Sequence, residues 1–77
     1  GNPLDIPGVK KEHMVDIQKG VARPGFTEAE VLLALGEPSS RREVDDKTYT
    51  MEYKSVNQRY ACVFMDKKTK KVKSVKH

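Results

Sequence analysis

The sequence predicts an α+β domain in which two short N-terminal helices pack on one face of an antiparallel sheet of three strands, or of four with an added edge strand. Three segments carry that prediction: a helix marked at both ends between Thr27 and Pro38, a run at 48–53 that alternates polar and apolar side chains, and an unbroken apolar run at 60–65. A short helical stripe and a half-apolar strand are each unstable alone in water, so each implies the other as its cover.

Residues 1–8, Gly1-Asn2-Pro3-Leu4-Asp5-Ile6-Pro7-Gly8, hold two prolines and two glycines without periodicity and read as an irregular lead-in or tether, leaving 9–77 as one domain. From residue 9 to about residue 19 a first helix is predicted, because Met14, Ile17 and Val21 fall at helical spacing and Gly20 offers a stop. His13 lies on the flank of that stripe with no partner nearby in sequence, and reads as a surface histidine. Pro24 and Gly25 then turn the chain.

Thr27-Glu28-Ala29-Glu30 is a capping box: the Thr27 hydroxyl can accept from the Glu30 backbone N–H while the Glu30 carboxylate reaches back to the N–H of Thr27. Phe26 and Val31 supply the matching hydrophobic staple, and both glutamates favour the positive end of the helix dipole. Val31, Leu32 and Leu35 form the predicted core stripe, with Ala29 and Leu33 widening it. Gly36 predicts a left-handed cap and Pro38 forbids continuation, so the second helix is expected from Glu28 to Leu35.

In Thr48-Tyr49-Thr50-Met51-Glu52-Tyr53 the odd residues share one face and the even ones the other, the mark of a half-buried strand. Tyr60-Ala61-Cys62-Val63-Phe64-Met65 suits a central strand with both faces partly covered. A polar turn follows over 66–70 and a last strand over about 71–75, with a further short strand expected at 42–45 ahead of an Asp46-Lys47 turn. Val72 and Val75 differ in parity, so turning both inward requires a bulge or a frayed end.

At 77 residues the chain suits one domain with a small core. Its single cysteine, Cys62, excludes an internal disulfide, and His13 and His77 make no plausible metal site with it. No apolar run approaches the roughly 20 residues of a membrane span. The net charge of +4 is C-terminal in origin: residues 1–36 carry four basic and five acidic side chains, residues 37–77 eleven and six. Lys67, Lys68, Lys70, Lys71, Lys73 and Lys76 meet no acidic residue in the last eleven positions. Without interleaved aromatics they read as a solvated hairpin that discourages edge association, and nucleic acid is the less favoured partner.

Nothing in the sequence assembles a catalytic, cofactor-binding or metal site. Cys62 sits in the most apolar run, where burial quietens a thiol. Glu28 and Glu30 are committed to the helix start, Asp45-Asp46 suits a turn, and no phosphate-cradling glycine loop occurs. Tyr49, Tyr53 and Tyr60 suit an interface, but in a chain without tryptophan they are better read as core side chains with hydroxyls at the rim. Arg41-Arg42 suits either an acidic partner or a solvated loop.

The run Gly25-Phe26-Thr27-Glu28-Ala29-Glu30-Val31-Leu32-Leu33-Ala34-Leu35-Gly36-Glu37-Pro38 resembles the Gly-Met-Thr-x-x-Glu-Val-x-x-x-Leu-Gly-x-Pro signature of the SmpA/OmlA family of BamE-like outer-membrane lipoprotein domains, with Phe26 at the family's Met. Ile17 and Gly20 upstream, and Tyr53 with the following apolar strand and polar turn, extend the resemblance over roughly residues 14–76. It implies a helix-helix-strand-strand-strand order and a periplasmic module, lipid-anchored through a segment outside these residues, that binds another envelope protein without catalysis, as a monomer or weak dimer. It carries over no binding residue. The rival class is a cytoplasmic winged-helix nucleic-acid module, with 26–35 as its first helix and the lysine-rich hairpin as its wing. Its recognition helix would have to come from residues 39–53, whose Asp-Asp pair and Thr/Tyr alternation favour strands.

Overall fold

The computed structural model describes residues 8–54 and 60–76. A single 3-10 turn, Lys11–His13, runs into α1, Met14–Gln18; α2 spans Glu28–Leu35; and β1 (Ser40–Glu43), β2 (Thr48–Lys54), β3 (Tyr60–Asp66) and β4 (Val72–Lys76) form one antiparallel sheet in the order β1-β2-β3-β4. The predicted α+β class and element order are those observed, with the optional fourth strand present. Residues 1–7 of the 1–8 lead-in lie outside the described residues.

α2 has the predicted bounds because its determinants are all local. Thr27 Oγ1 accepts from Glu30 N at 3.3 Å, Glu30 Oε1 accepts from Thr27 N at 2.8 Å, and Phe26 and Val31 are both buried in the core. Gly36 ends the helix with φ +83° and ψ −163°. This is the extended, glycine-only region at positive φ and not the left-handed helical cap expected from the sequence, so a side chain here would be strained. Leu33 departs from the predicted stripe: it is 49% exposed. Thr27→Ala is expected to cost about 0.5–2 kcal/mol through the lost cap. Its hydroxyl also donates to the Gly8 carbonyl. An unchanged urea midpoint at an unchanged m-value would show that the hydroxyl does not hold the helix start.

The first helix is shorter than the expected 9–19. Five α-helical residues and the preceding 3-10 turn replace it, and Ile17 alone of them is buried. Gly20, at φ +74°, stops α1 as expected.

Tyr49, Met51 and Tyr53 pair with Met65, Val63 and Ala61, placing these residues on the helix-facing side of the sheet. The core is that face closed by Ile17, Phe26 and Val31. β3 and β4 contain the required bulge: Ser74 opposes Phe64 and Val72 opposes Met65, leaving Lys73 as the extra residue. Both Val72 and Val75 thereby pack against the core. The connecting turn is shaped by Asp66, whose Oδ1 accepts from Lys68 N at 2.8 Å and Thr69 N at 3.0 Å.

β1 starts and ends two residues before the expected 42–45. Val44 and Asp45 instead donate to Thr48 O in the turn, at 3.0 and 3.2 Å. The two sheet edges differ. On β4, Gly25 N donates to Val72 O at 2.9 Å and Val72 N to Phe26 O at 2.7 Å, and Thr27 bridges Lys71. The segment entering α2 thus covers the Val72 end of that edge. β1 has β2 on one side and no strand on the other among the described residues, and all four of its residues are exposed.

Candidate functional site

Most chemically capable side chains are engaged within the chain. Glu30, one half of the capping box, is buried at 0% exposure. Its Oε2 accepts from Lys10 N at 2.9 Å and from His13 Nδ1 at 2.5 Å, while its Oε1 serves the cap. Burial alone would raise its pKa, but the Lys10 and Thr27 N–H groups, with the His13 hydrogen bond and charge, outweigh it and hold the carboxyl below its ordinary range. Against a carboxylate acceptor the Nδ1 of His13 must carry a proton. The His13 ring stacks on Phe26 with centroids 4.3 Å apart and planes at 21°. His13 is therefore a paired, half-buried residue and not the free surface histidine its sequence neighbourhood predicts. The two partners are 17 positions apart, beyond any local signal.

Two tyrosines hold the ends of α2. Tyr49 OH donates to Glu28 Oε1 at 2.9 Å and Tyr53 OH donates to the Gly36 carbonyl at 2.9 Å. Four strand steps span about 13 Å, and the eight residues of α2 span about 12 Å. The helix therefore runs along β2 with a tyrosine at each end. Burial first, then the hydrogen bond and charge of Glu28, push the Tyr49 hydroxyl up to about 12, against the opposing charge of Arg41. Burial also pushes Tyr53 to about 12; Arg41 opposes the shift, and Glu37 and Glu28 add to it. Both stay protonated donors at neutral pH, filling the core and its rim as expected; the side chain of Tyr60 lies outside the described residues.

The face of the sheet away from the helices carries Arg42, Thr50, Glu52, Cys62, Phe64 and Lys76, as the register requires. Cys62 is buried at 7% exposure, but on this face and not in the helix-covered core. Its burial comes from flanking side chains, since Glu52 and Lys76 sit opposite it on the neighbouring strands. A thiol reagent is expected to label native Cys62 at least about tenfold more slowly than the urea-unfolded chain. Equal rates would show that those side chains do not shield it.

The C-terminal lysines are spread and largely engaged. Lys76 Nζ lies over the Phe64 ring, 5.5 Å from its centroid, and Lys70 Nζ over Tyr49 at 5.7 Å. Lys73 Nζ donates to Thr48 Oγ1 at 2.7 Å and lies 3.9 Å from Asp66, and Lys67 pairs with Glu43. Lys68 and Lys71 are exposed. The arginines part company: Arg41 turns to Glu28 at 2.9 Å on the helix side, whereas Arg42, its side chain 75% exposed, reaches toward Glu52 at 4.0 Å on the opposite face.

Among the described residues no three His, Cys, Asp or Glu side chains group as a metal site. Among the described residues no helix is long and apolar enough to cross a membrane. Residues 40–54 form the β1–β2 hairpin, so no second helix follows α2 at helix-turn-helix spacing. Among the described residues the outer edge of β1 has no strand beside it. Val44 N bonds Thr48 O, and alternation along an antiparallel pair then directs the backbone groups of Ser40 and Arg42 to β2 and those of Arg41 and Glu43 outward. No family model matches the chain, and neither a curated protein nor a solved structure matches it significantly.

Proposed function

We propose that this domain is a non-catalytic module that binds another protein, in the bacterial envelope setting that the SmpA/OmlA resemblance implies, and that it docks its partner along the outer edge of β1. The asymmetry of the sheet carries the reading. The β4 edge is covered at its Val72 end by the chain's own Gly25–Thr27 segment, while the β1 edge presents outward backbone groups at Arg41 and Glu43 to an incoming strand. Arg42, exposed beside that edge, favours a partner segment with acidic side chains. The non-catalytic reading is supported by the structural engagement of Glu28, Glu30, His13 and Cys62. A periplasmic location follows from the resemblance alone.

Nucleic acid is the alternative partner for a chain of net charge +4. Two measurements separate the readings. Affinity capture from solubilised envelope proteins is expected to retain a saturable partner that Glu43→Pro loses, because proline removes an outward N–H while leaving the bonds to β2 in place. Titration with random duplex and single-stranded oligonucleotides is expected to give dissociation constants no tighter than about 10⁻⁴–10⁻⁶ M at physiological salt, without sequence preference. A nanomolar or sequence-selective nucleic-acid complex would overturn the protein-binding reading, and a partner retained equally by Glu43→Pro would remove β1 from it.

A further inference from the structure

The Glu30 carboxylate divides its two oxygens between two tasks. Oε1 completes the α2 cap through Thr27 N, and Oε2 holds the arm at residues 8–13 through Lys10 N and the His13 ring. We infer that Glu30 and His13 form a latch that closes this arm over Phe26, and that neutralising the Glu30 carboxylate opens the arm while the sheet and α2 remain folded.

The arm has few other attachments. Its 3-10 turn contributes no buried residue, Val9 is only partly buried against the core, and Gly8 contributes a carbonyl to the Thr27 hydroxyl. α1, at five residues, is too short to persist without packing. β2 and β3, in contrast, are paired over seven residues and bury Met51, Val63 and Met65 completely. Segments with sparse burial open locally at lower free energy than such a core.

Chemistry makes the carboxylate hard to replace. Three donors converge on it, and both oxygens must accept. A protonated acid or a glutamine amide keeps one full acceptor and turns a donor toward one of those donors, so it can serve the cap or the arm but not both. The titratable and charged groups around the latch are few. His13 faces Glu30 from the arm, and Lys10 meets it through its backbone. On α2, Glu28 is turned to Arg41 and Tyr49, and Lys71 of the β4 side meets the cap only by backbone pairing opposite Thr27. The sheet residues of the core beneath are apolar apart from the Tyr49 and Tyr53 hydroxyls, which are committed to α2. The depressed pKa of Glu30 places opening in acid for the native sequence. Opening carries His13 off the ring of Phe26 and presents an apolar surface beside the start of α2.

Residue-resolved amide exchange on the whole chain tests this. In Glu30→Gln at neutral pH, the Lys10 amide is expected to exchange at least about tenfold faster than in the native protein and close to its unfolded rate, while the Met51 and Val63 amides stay protected. His13→Ala, which leaves the α2 cap intact, is expected to speed exchange at Lys10 by a smaller factor. Acidifying the native protein is expected to release Lys10 before either sheet amide. Loss of arm and sheet protection together, in both variants and on acidification, would overturn the latch in favour of a purely global role for Glu30. So would a Lys10 amide indifferent to both substitutions.

Discussion

Phe26→Ala is expected to destabilise the domain by about 3–5 kcal/mol, the usual cost of deleting a buried phenylalanine ring. A domain of 77 residues has only about 4–12 kcal/mol to lose at typical stability per residue. The variant should therefore be largely unfolded or close to it at room temperature. Phe26 joins three parts of the molecule: it is the staple residue of α2, it stacks under His13, and its carbonyl accepts from Val72 N at the edge of β4. Phe26→Met, which supplies the residue of the SmpA/OmlA signature, conserves most of the volume and is expected to cost less than about 1.5 kcal/mol. Urea denaturation followed by circular dichroism measures both. A Phe26→Ala midpoint equal to that of the native protein would mean that the ring does not seal the core.

Glu30→Ala is expected to cost about 1–3 kcal/mol, because it removes the buried carboxylate that the His13 ring and the Lys10 and Thr27 N–H groups share. Acid should act on the same site. Because the folded-state pKa of Glu30 lies below the unfolded one, the unfolded chain binds the proton more tightly, and stability falls as pH falls. The contribution is fully present above the unfolded carboxyl value of about 4.3 and is lost as pH drops through the lower folded value. Asp45, held down chiefly by the Lys47 N–H, and Asp66, held down by the Thr69 and Lys68 N–H groups, add to the loss with the same sign. Denaturation midpoints from pH 7 to pH 2 should be flat at first and then fall. In Glu30→Ala the fall should be shallower, since one of the three carboxyls is gone. A steeper fall in the variant would contradict the depressed pKa. The two substitutions should not be additive, as Phe26 and Glu30 share His13.

The non-catalytic and envelope readings rest on different footings. The first is supported by the partners found for Glu28, Glu30 and His13 and by the burial of Cys62, the second by the 25–38 signature. The capping box and the arm meet at Glu30. A residue that looks from the sequence like a helix cap is also the anchor of the arm, so substitutions there should report on more than helix propensity.

The sequence by itself determined those features whose causes lie within a few residues. Cap, staple and stop set α2 at Glu28–Leu35; period-2 alternation set β2; and the unequal parity of Val72 and Val75 demanded the bulge that Lys73 provides. Tertiary structure alone decided whatever required two distant segments to meet. The second oxygen of Glu30 finds its partners at Lys10 and His13, the tyrosines of β2 find the two ends of α2, and Gly25–Thr27 covers the Val72 end of the β4 edge. The face occupied by Cys62 also belongs to this second group. In an apolar run each residue suits either side, and only pairing Cys62 with Glu52 while Val63 pairs with Met51 turns the thiol away from the helices. Local chemistry fixes where an element begins and ends, but a side chain with no neighbour in sequence takes its role from the register and packing that bring a partner to it.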